Sequence, residues 1–337
     1  MKITLKNPLD MHLHLREGEL LKAVLPYSAN VFSGAVVMPN LKEPVDSLDL
    51  ANKYKKDIEN LLDSTNQFKP LCAIYLSDRL NKNELKKCAE SNFKILKLYP
   101  KGATTGSEKG VDSVINKHNL ELFETAQELN MILSIHGESN GESLDREAEF
   151  GEVFSYLASK FPKLKIIIEH MSDRRSIPLL NEFDNIYATL SLHHISLSID
   201  SIIGKNLNPH YFCKPILKTK IDQQELLQLA LNAHKKVSFG SDSAPHLLES
   251  KLKGAAGIFS APVLLPKLCE IFDRFGKLDN LQAFISDNAF KNYELDSMPQ
   301  KEITLQKIEP KTIEEITYKD SILTPIFVGE KLTWEVI

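Results

Sequence analysis

The chain has 337 residues, a length that suits one α/β barrel as well as two smaller domains. Its 41 lysine and arginine residues against 45 aspartate and glutamate residues leave a net charge of −4. This balance excludes the positive field of a protein that binds nucleic acid or an anionic membrane. No apolar run approaches the ~18 residues of a membrane span, and the start, MKITLKNPLD, lacks the apolar core of a signal peptide. Four dispersed cysteines without a CxxC pair predict reduced thiols in a cytoplasmic protein: Cys72, Cys88, Cys213 and Cys269.

Eight short apolar runs alternate with longer amphipathic stretches along most of the chain. Each run is rich in β-branched or aromatic residues and is bounded by polar or turn residues, which is the pattern of a buried strand. Strand, helix and strand in repetition imply a parallel sheet with helical crossovers, and eight strands favour a closed (β/α)₈ TIM barrel. The predicted strands are Leu9–Leu15, Gly34–Met38, Leu71–Leu76, Ile95–Tyr99, Met131–His136, Leu164–His170, Ile186–Leu192 and Val237–Gly240.

Helical spacing fills several of the intervals between these strands. The clearest examples are Asp112–Leu129, Gly141–Lys160 and Asp222–His234. In the second of them, Val153, Tyr156 and Leu157 stand at i, i+3 and i+4, and this spacing predicts that they face the sheet.

The chain continues past the eighth strand with two helical patterns, near Ala261–Phe275 and Asp279–Ser286, and a tail that ends in LTWEVI. These last residues alternate like a strand. We therefore expect the barrel to occupy residues 1–289. Residues 290–337 are too short to build a core alone, so we expect them to form a C-terminal extension packed on the barrel.

Two histidines in the motif DMHLHLR stand two residues apart on the first predicted strand. His12 and His14 therefore point to one face and can reach one ion. Two partly buried histidines on a barrel wall are the plain alternative. The metal interpretation gains weight because His136 and His170 each end an aliphatic strand, and strand ends of a barrel meet at one mouth.

Two further polar residues belong to the same strand ends. Asp242, in FGSDSAPH, can bind a cation and accept a proton, although aspartate also caps turns. Lys97, in ILKLYP, lies within an apolar strand where an unpaired ammonium is costly. On the sequence alone a salt bridge is the favoured explanation for Lys97, and a carbamate formed with carbon dioxide is the alternative.

Taken together, HLHLR, VMPN, KLYP followed by ATTGS, HGE, IIEH and GSDSAPH resemble the short, single-function bacterial dihydroorotases of the amidohydrolase superfamily. The resemblance spans nearly the whole chain. It implies a homodimer that acts on a small molecule and holds two Zn²⁺ per subunit. It also implies the ligands: His12, His14 and Asp242 for the more buried zinc, His136 and His170 for the more exposed one, and Lys97 as the N6-carboxylated bridge.

The same resemblance implies the substrate contacts. Arg16, Asn40 and His246 match residues that hold the substrate's carboxylate, and Thr104 and Thr105 match a mobile loop that closes over it. His14, His136, Lys214 and Ala256 also match substrate contacts, the last two largely through backbone atoms.

The chain departs from the family pattern near the seventh strand. The expected TPQHL reads SLHHI here, so His193 replaces a glutamine, and His194 is assigned no role beyond support. Lys214 stands where relatives carry an apolar residue, which leaves a contact by its side chain in doubt.

The implied reaction is the reversible closure of N-carbamoyl-L-aspartate to L-dihydroorotate in pyrimidine biosynthesis. In the hydrolytic direction, a hydroxide bridging the zinc ions attacks a ring carbonyl, with Asp242 as general base and acid. Three alternative functions stay open. One is a hydantoinase, although these enzymes usually have an N-terminal β-domain, for which the stretch before His12 leaves no room. The others are a mononuclear deaminase, although such enzymes lack the bridging lysine, and a non-catalytic scaffold of the same fold.

Overall fold

Eight parallel strands form a closed barrel surrounded by helices in the computed structural model, which describes all 337 residues and confirms the predicted fold class. The chain has fourteen strand segments, of which β2 to β10 form the barrel, and β4 and β5 together make one of the eight barrel strands. The segments are Lys2–Lys6 (β1), Leu9–Leu13 (β2), Gly34–Val37 (β3), Lys69–Cys72 (β4), Ile74–Tyr75 (β5), Ile95–Leu98 (β6), Ile132–Ile135 (β7), Lys165–Ile168 (β8), Ile186–Leu190 (β9), Val237–Phe239 (β10), Glu302–Thr312 (β11), Ile316–Tyr318 (β12), Ser321–Leu323 (β13) and Lys331–Val336 (β14).

The helices lie mainly between the barrel strands. They are Gly18–Ala29 (α1), Leu48–Glu59 (α2), Lys82–Glu90 (α3), Lys117–Glu128 (α4), Arg146–Glu149 (α5), Gly151–Lys160 (α6), Ile177–Glu182 (α7), Leu192–Ser196 (α8), Asp200–Ile203 (α9), Lys220–Leu231 (α10), Leu248–Leu252 (α11), Leu264–Arg274 (α12) and Asn288–Asn292 (α13). No helix combines the length and the apolar character needed to cross a membrane.

The barrel is built from two hydrogen-bonded sheets that are joined at two places. One sheet has the order β2-β3-β4 and the other the order β10-β9-β8-β7-β6-β5. At the first junction, the predicted third strand is divided: β4 pairs with β3 and β5 pairs with β6, with Ala73 between them. At the second, Leu13 pairs in parallel with Ser243, and the Asp242 amide donates to the His12 carbonyl at 2.8 Å. The ring of strands is thereby closed.

A β-bulge in β2 aims the HxH motif into the barrel. The register with β3 shifts between Asp10 and Leu13, which places one extra residue on β2. Leu9 and Met11 belong to the small apolar cluster inside the barrel, whereas Leu13 belongs to the large cluster toward the helices. Because of the extra residue, the alternation of side chains along the strand shifts by one position, and both Met11 and His12 point into the barrel.

The segment Gly141–Lys160, predicted as one helix, contains two short ones. Arg146–Glu149 and Gly151–Lys160 are separate helices after an irregular start. The predicted inward face was also wrong in part, because Tyr156 is 39% exposed while Phe154 and Leu157 are fully buried. The true stripe runs through Phe154, Leu157 and Ala158, rotated away from the predicted one.

Both ends of the chain form one antiparallel sheet outside the barrel, in the order β1-β11-β14. The strand predicted for LTWEVI is present as β14, and its Trp334 is buried. The sequence did not predict β1, which pairs with β11 from Lys2–Gln306 to Lys6–Glu302. The division into residues 1–289 and 290–337 stays a prediction.

Candidate metal centre

All six predicted ligands lie together at the carboxyl-terminal mouth of the barrel, and all six are buried. Five of them come from β2, β6, the ends of β7 and β8, and the segment after β10, and His14 follows the end of β2. Parallel register brings Lys97 level with Ser134, and so places His136 and His170 just above it at neighbouring strand ends. The six residues are His12, His14, Lys97, His136, His170 and Asp242.

Three of these residues, the three-ligand group, present their ligand atoms to one point. Nε2 of His12 and Nε2 of His14 are 3.3 Å apart, and Oδ1 of Asp242 lies 3.2 Å from His14 and 3.6 Å from His12. A tetrahedral zinc with bonds of 2.0–2.1 Å separates two of its ligand atoms by about 3.3–3.4 Å. The three-ligand group therefore has the spacing of a cation site.

The remaining two histidines, the two-ligand group, show the same spacing. Nδ1 of His136 lies 3.2 Å from Nε2 of His170. The other ring nitrogen of His136 is 2.8 Å from Oε2 of Glu138, to which it donates, so that Nδ1 keeps a free lone pair. The rings of His12 and His170 have centroids 4.8 Å apart, so the two groups adjoin each other.

Lys97 forms no salt bridge, contrary to the simpler expectation from the sequence. Its Nζ is completely buried and has no hydrogen-bond partner, and it lies 4.9 Å from the centroid of the Tyr99 ring. Burial lowers the pKa of Lys97 to about 8, with the carboxylates of Glu169 and Asp242 acting in the opposite direction. A buried amine without a partner, surrounded by histidines, fits a lysine whose Nζ carries an additional group.

Glu169 supports the three-ligand group and was missed by the sequence reasoning. Its Oε2 accepts from Nδ1 of His12 at 2.7 Å and from Oγ1 of Thr189 at 2.6 Å, and its Oε1 accepts from the Ser134 hydroxyl. Burial alone would raise its pKa, but the charges of His12 and Lys97 hold the pKa at about 2. The anion therefore fixes the His12 tautomer with its lone pair toward the ligand cluster. The available signal was a glutamate next to His170 at the end of an aliphatic strand.

Three site residues hold backbone conformations that are unusual for residues other than glycine. Arg16, His170 and Asp242 have φ values of 63°, 39° and 46°. Left-handed conformations cost free energy and persist where surrounding contacts fix them, which is common at functional sites. Here they end strands and turn the side chains into the mouth.

The predicted carboxylate anchors lie beside the ligands. Nη2 of Arg16 is 3.0 Å from Nε2 of His246, and the same His246 nitrogen is 2.9 Å from the Ala256 carbonyl. One nitrogen cannot donate to Ala256 and accept from Arg16 at the same time. Burial, followed by the charge of Arg16, lowers the pKa of His246 to about 3, so the ring is neutral. Nε of Arg16 donates to the Pro245 carbonyl at 3.1 Å, so the two Nη atoms are the part of the guanidinium that can take an external acceptor.

The predicted loop residues close this side of the mouth. The Thr105 carbonyl accepts from Nδ2 of Asn40 at 3.1 Å, and its hydroxyl accepts from the Ala256 amide at 3.1 Å. Thr104 contacts Ser107 within the loop rather than the site. Oδ1 of Asn40 is buried without a hydrogen-bond partner.

Two other predicted or doubtful residues lie near the two-ligand group. Lys214 is partly buried, and burial lowers its pKa while the charge of Glu138 acts in the opposite direction. His194 is held by the Ser191 hydroxyl at 2.8 Å and the Pro215 carbonyl at 3.1 Å, as befits a supporting residue. All four cysteines are buried and unpaired.

Known proteins resemble the chain over almost its whole length. The dihydroorotase of Helicobacter hepaticus is 55% identical over 99% of this chain and 97% of its own. The crystal structure of a dihydroorotase from Campylobacter jejuni has a TM-score of 0.93 at 39% identity, covering 99% of this chain and 97% of its own.

An L-hydantoinase from Arthrobacter aurescens covers 100% of this chain and 83% of its own with a TM-score of 0.80, but at 14% identity it shares only the fold. No family model matches the sequence. The identities to dihydroorotases, over nearly every residue, separate the chain from the hydantoinases. The protein belongs to the dihydroorotase family.

Proposed function

We propose that the chain closes N-carbamoyl-L-aspartate to L-dihydroorotate, and reopens it, at the mouth formed by its six clustered ligands. As a dihydroorotase it is a hydrolase of a cyclic amide in pyrimidine biosynthesis, and it acts on a small molecule. The observation that carries the proposal is the ligand spacing of 3.2–3.3 Å within both groups of histidines. Dihydroorotases are metal-dependent amidohydrolases, and this spacing fits that dependence.

Two Zn²⁺ are proposed, one in the three-ligand group and one in the two-ligand group, with Lys97 between them. Such cations supply a water of lowered pKa and polarise a carbonyl oxygen. The neutral amine of Lys97 can add carbon dioxide and lose a proton, which gives a carbamate with two oxygens. The buried, unpartnered Nζ supports this role, because a carbamate provides the charge that the two histidines lack.

Asp242 is proposed as the group that moves the proton. Its carboxylate is buried, and burial raises its pKa while the charges of His12 and His194 lower it. In the hydrolytic direction it accepts a proton from the attacking water and donates it to the departing ring nitrogen. General catalysis of this kind contributes typically about 10²–10⁴-fold.

Arg16, Asn40 and His246 are proposed to hold the carboxylate that does not react. The two Nη atoms of Arg16 match two carboxylate oxygens, and Nδ2 of Asn40 adds a directional donor through the N–H that does not go to the Thr105 carbonyl. The Thr105 contacts with Asn40 and Ala256 hold the loop against the mouth beside this anchor. Backbone atoms of Lys214 and Ala256, and the rings of His14 and His136, complete the proposed contacts. The homodimer and the cytoplasmic location stay predictions.

Substitution of Asp242 by Asn tests the proposal. The amide preserves the shape but cannot accept the proton, so hydrolysis of dihydroorotate should fall by about 10²–10⁴-fold while the Tm changes little. Asp222→Asn is the matched control, because Asp222 is a buried carboxylate that caps α10 and contacts Thr219 and Arg174 but none of the six ligands; it should lower the Tm and leave turnover intact. Turnover near that of the parent in Asp242→Asn contradicts the proposed role. Absence of hydrolysis by the metal-loaded parent chain favours the non-catalytic scaffold.

A further inference from the structure

His193 is a buried imidazole for which the proposed chemistry has no use. It lies in α8, just after β9, and is completely buried. Both ring nitrogens lack a hydrogen-bond partner, which applies to no other buried histidine of the chain. A buried polar group without a partner costs free energy, so its presence calls for a physical reason.

A metal site of its own does not provide that reason. His193, His194 and Cys213 have potential ligand atoms within 4.8 Å of one another. Both nitrogens of His194 are engaged, with Ser191 and with the Pro215 carbonyl, and the Cys213 thiol donates to the same carbonyl at 3.2 Å. A cation there would have to displace these hydrogen bonds. Only His193 is free.

The free ring of His193 faces the proposed proton carrier. Its Nε2 lies 3.7 Å from Oδ2 of Asp242, whereas Oδ1 of the same carboxylate faces His14 at 3.2 Å and His12 at 3.6 Å. The two oxygens of Asp242 are thus divided between the ligand cluster and His193. The separation of 3.7 Å exceeds a hydrogen bond, but such contacts at catalytic sites tighten when the site is loaded.

We propose that His193 is a positioning residue, whose Nε2–H holds Oδ2 of Asp242 and fixes the rotation of the carboxylate. With Oδ2 held, Oδ1 stays toward His12 and His14. The carboxylate then presents one fixed face to the attacking water. The inference rests on the proposed role of Asp242, because His193 acts only through that residue.

The test compares two substitutions of nearly equal shape, His193→Gln and His193→Met. Gln retains an N–H donor and Met does not. His193→Met should lower kcat about tenfold, equivalent to about 1.4 kcal/mol, with KM and metal content unchanged. His193→Gln should restore most of kcat. The Tm of both variants is measured, and His193→Leu replaces the Met variant if the latter does not fold.

Three results overturn the inference: parental kcat in the Met variant, equal loss of kcat in Gln and Met, or loss of bound metal in both. The second result indicates that His193 only packs, and the third indicates that it binds a cation with His194 and Cys213. Asp242→Asn is assayed in parallel. If Asp242→Asn is active, the proposed role of Asp242 fails and this inference fails with it, whereas absence of hydrolysis by the parent chain is the result that contradicts the proposed function. If Asp242→Asn is inactive and His193→Met is normal, only this inference fails.

Discussion

The three-ligand group and the two-ligand group sit side by side at one mouth but differ in completeness. His12, His14 and Asp242 bring two nitrogens and a carboxylate oxygen of their own to one point. His136 and His170 bring nitrogens only, and Nδ1 of His170 is buried without a partner. The first group can hold a cation unaided, whereas the second needs an anionic oxygen from elsewhere.

The carboxylates that support the two groups show the same difference, because the one behind the three-ligand group is better held by hydrogen bonds. Glu169, behind His12, is held by Ser134 and Thr189. Glu138, behind His136, has one oxygen without any partner. The carboxylate behind the three-ligand group therefore has more polar contacts than the carboxylate behind the two-ligand group. The comparison teaches that the second cation site depends on the group that Lys97 carries.

Replacement of Lys97 by Ala should have the largest effect on metal binding and activity, and it should affect the two groups differently. Without the carbamate, metal should leave the two-ligand group first, and hydrolysis should fall by about 10³-fold or more because the attacking water and the carbonyl lose their electrostatic support. Metal per chain and turnover are measured, with and without small carboxylic acids, which should restore part of both. Lys94→Ala, an exposed lysine beside the same strand, is the control. Unchanged metal content without rescue contradicts carboxylation.

The same proposal carries a pH dependence for reconstitution of metal-free protein with carbon dioxide and zinc. Only the neutral amine adds carbon dioxide, and the pKa of about 8 makes roughly a tenth of Lys97 neutral at pH 7 and half at pH 8. The initial rate at fixed dissolved carbon dioxide should therefore rise up to about pH 8 and then level off. A rate that keeps rising tenfold per pH unit to pH 10 indicates an ordinary lysine.

Matched substitutions of the two supporting glutamates should sharpen the contrast. Glu169→Gln should weaken the three-ligand group and Glu138→Gln the two-ligand group, each by about 10–100-fold in metal affinity, since the amide still accepts a hydrogen bond but carries no charge. Competition with a chelator measures both sites. Glu84→Gln, at a carboxylate that caps α2 and contacts none of the six ligands, serves as the reference. If both substitutions weaken metal binding at the same site, the two glutamates do not have separate roles.

Arg16→Lys probes the part of the mouth that binds no metal. A lysine ammonium is a point charge and cannot replace a planar fork, so kcat/KM should fall by about tenfold with metal content unchanged. The substitution also leaves the φ of 63° at this position in place, so Tm serves as the check on folding. Kinetics equal to those of the parent would remove Arg16 from substrate binding.

The sequence was most informative where strands are short and fully buried. Seven of the eight predicted barrel strands coincide with one observed strand each, and Leu71–Leu76 coincides with two, because buried parallel strands are nearly continuous in apolar residues. The HxH motif could be located as well. The bulge that turns His12 inward could not, since it depends on the register with β3 and not on the residue pattern.

Three features were beyond the sequence for a different reason. Glu169 contacts His12, which is far away along the sequence, and Glu138 contacts a particular ring nitrogen of His136, so only the folded structure shows these partners. Tyr156 shares the helical spacing of the buried face but lies at its edge. Strand β1 is too polar to read as a buried strand, and it is stabilised by β11 from the other end of the chain.

The pairing of β1 with β11 bears on the order in which the protein folds. Only Asn7 and Pro8 separate β1 from the strand that carries the HxH motif, yet the partner of β1 begins at Glu302. Strand β1 is therefore anchored by a segment that is far away along the sequence, since Lys6 pairs with Glu302. Contacts of such sequence separation close slowly, because the loop entropy must be overcome first. Docking of β1 onto β11 is accordingly expected to be among the slow steps of folding.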